Sequence, residues 1–207
     1  VAGGPDHRLG LGQYKLLYGG TDMKLTFFND FRLGVVKGDN IVDVTDAVSD
    51  IVRVGPGDLM SSLIARFGDY RGKLEAAAAA GAGVPIASVR IRPPLPKPGN
   101  IVCMAVNYME NGTLPKKPQI NAFHKAATAI IGNGDTMVLP DEPGTIFEGE
   151  AEMALVIGKR ASNVPASQAM DYIFGYMNFI DGSARGLPSQ GFFAMKSRAT
   201  FAPIGPY

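Results

Sequence analysis

Three glutamates, Glu148, Glu150 and Glu152, occupy alternate positions in the stretch FEGEAEMALVIGKR, which then turns abruptly apolar. In an extended strand this spacing puts all three carboxylates, with Ala154 and Val156, on one face. Phe147, Ala151, Met153, Leu155 and Ile157 fall on the other and are expected to be core. Neighbouring carboxylates on one face stand about 6.5–7 Å apart and repel one another, at a cost wherever they are partly buried. A solvent-facing strand end would dissipate that repulsion, whereas a shared divalent cation would cancel it. Carboxylate oxygens are hard ligands, so the ion would be magnesium, manganese or calcium, not zinc or copper. Such a site needs another oxygen donor from elsewhere in the chain. Asp181, at the end of the apolar run in NFIDGSAR, offers one, although an aspartate beside a glycine also serves as a turn-former or helix cap.

The remaining inventory narrows the chemistry. Two histidines, His7 and His124, and one cysteine, Cys103, cannot build a zinc site of cysteines and histidines within one chain, nor a disulfide framework. Cys103, in the apolar run IVCMAV, is expected to be a small core residue. A net charge of +1 with 19% charged residues gives no electrostatic case for nucleic acid or an anionic membrane surface. The longest hydrophobic run, AAAAAGAGVPIASV, is rich in alanine and glycine and broken by Pro85, too weak to span a bilayer. Without a signal peptide or disulfides, the expected compartment is the cytoplasm.

The elements that must position these residues follow from periodicity. At 207 residues and 46% hydrophobic content, the chain has room for one domain or one and a half. Residues 1–22 are glycine-rich and aperiodic, an extension or remnant ahead of a natural first strand at MKLTFF. KLTFF, RLGVVKG and NIVDVT, separated by turn-formers, predict a small antiparallel meander. GDLMSSLIARFG and KLEAAAAAGAG predict helices, completing a small β/α domain over 23–92. The proline-studded segment around 93–99 predicts a stiff linker. From residue 100 onward the pattern is β-rich. IVCMAV and INAFHKA predict buried strands, TMVLP a short one, EGEAEMALVIGK a longer one, PASQAMDYIF a helix and GYMNFID another strand. The fold class expected is α+β, mostly β.

IVCMAVNY, FHKAATAIIGNGDTMVLP, EAEMALVIGKR, GYMNFIDGSARGL and KSRATFAPIGP, in this order over residues 101–206, together resemble the fumarylacetoacetate hydrolase family. The resemblance is looser over Met23 to Arg92 and absent from residues 1–22. It implies a mixed β-roll and a divalent ion, usually magnesium or manganese, held by Glu150, Glu152 and Asp181, with Glu148 one step outside the motif. It also implies that Lys196, in the KS motif, lies beside the substrate, and that the protein is a homodimer. Family members hydrolyse carbon–carbon bonds of β-diketo acids, or decarboxylate, isomerise or hydrate related 2-oxo acids. A small 2-oxo acid could chelate the ion, which would act as a Lewis acid stabilising an enolate. Lys196, with Arg185 or Lys125 as further candidates, could hold the developing charge or a second carboxylate.

The chain also departs from the family pattern. Hydrolytic members carry a histidine three residues after the tyrosine of NY and a glutamate three further on. Here those positions hold Asn111 and Leu114. Asparagine cannot take a proton near neutral pH, so the usual base is missing and the chemistry tilts toward lyase or isomerase. Glu110 and His124 are the replacements on offer, and Asn111 itself could contact substrate. Arg198 and Ala199 stand where phenylalanine and aspartate usually follow KS, and Gly186 stands where an acidic residue is common. The family pattern extends several strands past GP, so the roll is expected to be incomplete at Tyr207. A degenerate, non-catalytic member keeping fold and metal site is the alternative expectation.

Overall fold

The structure is a computed structural model and describes residues 22–106, 119–189 and 191–207. The first half builds on a meander of β1 (Lys24–Phe28), β2 (Arg32–Lys37) and β3 (Asn40–Asp43), each antiparallel to the last. Its second turn relies on Gly38, whose φ of 60° lies where a side chain would be strained. Two helices follow, α1 (Pro56–Ala65) and α2 (Phe67–Ala80). Pro56 at the first helical position and Asp58, which accepts the Gly55 N–H at 3.1 Å, start α1. Short pieces β4 (Val84–Pro85) and β5 (Ile91–Arg92) widen the sheet to the order β4-β3-β2-β1-β5. Leu59, Leu63, Tyr70 and Leu74, repeating at helical spacing, pack against Phe27, Leu33 and Val42 to form the first apolar core.

Among the described residues, the strands and α-helix of the second half are β6 (Ile101–Ala105), β7 (Asn121–Lys125), β8 (Ile130–Ile131), β9 (Ile146–Ile157), β10 (Ile173–Arg185), the five-residue helix α3 (Phe192–Lys196) and β11 (Ala202–Pro203). β6 pairs with β7 and β9 with β10, both antiparallel, while β11 runs parallel to β8. Cys103, Phe123, Ala129, Phe179, Ala202 and Ile204 form a second core. Leu95, in the proline-rich segment, packs against both cores, so that segment is a docked wedge and not a free spacer. The fold is α+β with strands predominating, as expected. No helix among the described residues is long and apolar enough to cross a membrane.

Four expectations need correction. TMVLP forms no strand, and Val138 and Leu139 are exposed. PASQAMDYIF gives one 3-10 stretch, Ala166–Tyr172, after which Ile173 and Phe174 already belong to β10. β6 and β7 are buried on one side only, through Cys103, Phe123 and Lys125. Most consequential, the apolar side of β9 is not core. Met153, Leu155 and Ile157 are 63%, 48% and 55% exposed, and only Phe147 of that set packs against a buried cluster. Alternation divides a strand into two faces but does not say which one the rest of the chain covers. Here the glutamate side is covered, with Ala154, Met177 and Phe179 lying on the second core.

Candidate metal centre

Register assembles the site. Antiparallel pairing sets Asp181 opposite Glu150, Phe179 opposite Glu152 and Ser183 opposite Glu148. Alternate residues share a face, so all of these side chains project from the inner side of the β9–β10 ribbon. One ligand oxygen from each of Glu150, Glu152 and Asp181 lies within 4.8 Å of the others. Asp181 is 2% exposed and the glutamates are half-buried. β10 approaches residue 201 closely because Gly182 has no side chain. Its N–H donates to the Phe201 carbonyl at 2.9 Å, and a Cβ there would meet that oxygen at 2.9 Å.

Three cationic side chains enter the same space. Lys125 Nζ donates to Asp181 Oδ1 at 2.5 Å, while Lys196 Nζ donates to Asp181 Oδ2 at 2.7 Å and to Glu150 Oε1 at 2.9 Å. Arg185 donates from Nε to Glu148 Oε2 at 2.7 Å and from Nη2 to Glu150 Oε1 at 3.1 Å. Lys196 arrives on α3, which Phe192 docks onto β7 by stacking on Phe123 at 4.8 Å. The Ala126 N–H reinforces this by donating to Ser197 Oγ at 2.8 Å.

Four carboxylates therefore face three cations, leaving one net negative charge. The repulsion for which the sequence offers either solvent or a shared cation is thus largely answered by ammonium and guanidinium groups. What remains falls on Glu152, which among the described residues accepts no hydrogen bond or ion pair. Burial pushes its carboxyl above the ordinary range, and the facing Asp181 and Glu150 push the same way. Glu150 behaves oppositely. Burial works to raise it, but hydrogen bonds from Lys196 and Ser183 outweigh that and hold it below the ordinary range. Burial likewise opposes the charge on Lys196, yet its bonds to Asp181 and Glu150 lift it above the usual lysine value. Cys103, on the neighbouring ribbon, is pushed up to about 12 by burial first and by the Asp181 charge second, which keeps the thiol protonated and inert. Three clustered carboxylates with one unanswered charge form a donor set that fits a hard divalent cation.

The other sequence candidates are placed less favourably. His124, offered as a catalytic imidazole, is exposed on the outer side of the β6–β7 ribbon opposite Val102. Adjacent strand residues cannot share a face, so Lys125 pointing inward sends His124 outward. Lys125, offered as a substrate contact, has a fully sealed side chain, so its ammonium meets protein oxygens only. Arg198 is engaged by Glu142 at 3.0 Å and not by the carboxylate cluster. Glu110 and Asn111 lie outside the described residues. One participant escaped notice. Ser183 Oγ donates to Glu150 Oε1 at 2.8 Å, and its place two residues after Asp181 in a strand was the available signal.

The chain is similar to several known proteins. The family model of the fumarylacetoacetate (FAA) hydrolase C-terminal domain matches residues 100–207. A maleylpyruvate hydrolase of Aquipseudomonas alcaligenes is 30% identical over 203 residues, covering 89% of this chain and 69% of that protein. An oxaloacetate tautomerase of Bacillus subtilis is 32% identical over 131 residues, 58% of this chain and 43% of its own length. The crystal structure of maleylpyruvate hydrolase from Sphingobium sp. SYK-6, in complex with manganese(II) ion and pyruvate, superposes with a TM-score of 0.77 at 35% identity. That alignment covers 89% of this chain and 66% of the solved one. The chain thus spans between 43% and 69% of the length of these relatives. With a domain model matched over half its length and a relative two-thirds covered, the chain belongs to the fumarylacetoacetate hydrolase family.

Proposed function

We propose that the chain supplies the metal-bearing part of an enzyme acting on a small 2-oxo acid. The observation that carries this proposal is the meeting of Glu150, Glu152 and Asp181 within 4.8 Å from facing positions of two strands. Those three residues would hold manganese or magnesium, or calcium in their place. When bound, such an ion supplies Lewis-acid stabilisation of an enolate. The chain's own groups do the rest. Lys196, almost buried between Glu150 and Asp181, donates toward negative charge that develops on a substrate oxygen. Arg185, half-exposed beside the cluster, orients Glu148 and Glu150 and would meet an incoming carboxylate. The division at 93–99 belongs to the same proposal, supported by the family match that begins at residue 100.

Tautomerisation or decarboxylation is favoured over hydrolysis. Water activation needs a base, Asn111 cannot serve as one, and His124 faces away, which leaves Glu110 as the one replacement the sequence offers. The oxaloacetate tautomerases among the relatives support that choice, and the maleylpyruvate hydrolases support the hydrolytic alternative. The degenerate alternative loses one of its supports, since Arg198 is tied to Glu142 and adds no cation to the carboxylate cluster.

The test is calorimetric titration of manganese and magnesium, followed by oxalate as an enolate mimic. Oxalate should bind only in the presence of metal, and Glu150→Ala should abolish both events. Oxalate binding indifferent to a chelator would contradict the proposal. Loss of oxaloacetate enol absorbance without pyruvate release or maleylpyruvate cleavage would assign the tautomerase reaction, and pyruvate release would assign decarboxylation.

A further inference from the structure

The structure assigns a role to Lys125 different from the one its sequence suggests. Its ammonium is wholly enclosed, with the side chain 0% exposed, and it faces three oxygens. They are Asp181 Oδ1 at 2.5 Å, the Gly182 carbonyl at 3.0 Å and the Lys196 carbonyl at 2.5 Å. An ammonium has three donors, so none remains for a ligand. The three acceptors come from two different elements, β10 and the last residue of α3, while Lys125 itself ends β7.

Two consequences follow for the carboxylate cluster. A free carboxyl rotates about its Cβ–Cγ bond and offers either oxygen. With Oδ1 held on Lys125, Oδ2 is the oxygen on the Glu150 side, where Lys196 bridges the two carboxylates. The second concerns Lys196. Helix ends leave carbonyls without intrahelical partners, and the bond from Lys125 to the Lys196 carbonyl satisfies one of them while anchoring the end of α3 from which Lys196 Nζ reaches Asp181 and Glu150. One sealed cation thereby fixes both the aspartate and the lysine of the site.

We propose that Lys125 is a positioning residue, which presents a single oxygen of Asp181 to the divalent ion and holds Lys196 in reach of the same ligands. This rests on the assignment of Glu150, Glu152 and Asp181 as the metal ligands. A merely structural lysine would neutralise Asp181 and support folding without influencing how the ion is held.

The experiment measures manganese affinity by electron paramagnetic resonance of the free aquo ion, for wild type, Lys125→Met and Lys125→Gln. Circular dichroism keeps each measurement well below the variant's melting temperature. Removing a partner that orients a metal ligand should weaken manganese binding by about 10–100-fold and alter the line shape of bound manganese. Lys125→Gln, which retains an amide donor, should lose less, and it provides the comparison if Lys125→Met does not fold. A folded variant with lowered melting temperature but unchanged manganese affinity and line shape overturns the positioning role while leaving the metal site intact. Absence of manganese binding by the wild type, or binding unaffected by Glu152→Gln, overturns the metal assignment and this inference with it.

Discussion

Glu152 is the residue at which the charges of the cluster fail to balance. Its neighbours each have a cationic partner, and among the described residues it has none. Burial and the nearby Asp181 and Glu150 raise its folded value above that of an unfolded chain, so ionising it weakens the metal-free fold. The sign follows directly. Stability falls as pH rises from the ordinary glutamate range through the raised folded value, and the loss is complete above it. Glu152→Gln, which cannot ionise, should therefore melt at a higher temperature than wild type in chelator at neutral pH. The advantage should vanish once pH drops below the ordinary glutamate range. In metal the ranking should reverse, because the variant has lost a ligand. Thermal melts across pH with and without manganese check all three statements. The glutamates were legible because alternation is a local property, and Asp181 and Lys196 because their motifs are. That both lysines pair with Asp181 was not, since Lys125 and Lys196 reach it from 56 and 15 residues away.

At the scale of elements, the β9–β10 ribbon is both framework and site. Its glycines decide how closely it packs. A methyl group at residue 182 would meet the Phe201 carbonyl oxygen at 2.9 Å, the Phe201 Cα at 3.0 Å and the Met137 sulfur at 2.9 Å. Two of those three atoms are backbone and cannot swing aside. Gly182→Ala should cost about 1–3 kcal/mol by overpacking, which for a chain of this size lowers the melting temperature by roughly 2–4 °C per kcal/mol. Displacing β10 also displaces Asp181 next door, so manganese affinity should fall in the same variant. The meander and both long helices were legible from turn residues and apolar spacing. α3 was not, because FFAMK is only five residues long, apolar up to Lys196, and docks through Phe192 stacking on Phe123. The orientation of β9 was misjudged for a related reason. Buried lysines make a carboxylate face compatible with the interior, and nothing local announces them.

For the whole molecule, the outer side of the ribbon is what most needs explaining. Met153, Leu155 and Ile157 from β9, with Tyr176 and Ile180 from β10, form an exposed apolar face on adjacent strands. Faces of this kind mark sites where another surface docks. We propose that a second copy of the chain covers it, giving the homodimer that the family resemblance implies. Light scattering at micromolar concentration should report twice the mass of one chain, and Leu155→Glu should return it to monomer without loss of secondary structure. A wild-type monomer would count against the proposal. Leu95 raises a different matter. Its one side chain is common to both cores and sits among prolines that fix its backbone. It works as a hinge pin driven through two plates. A chimera grafting a foreign amino-terminal unit onto the half that bears the carboxylate cluster would have to carry the pin across, and recut the socket on either side to receive it.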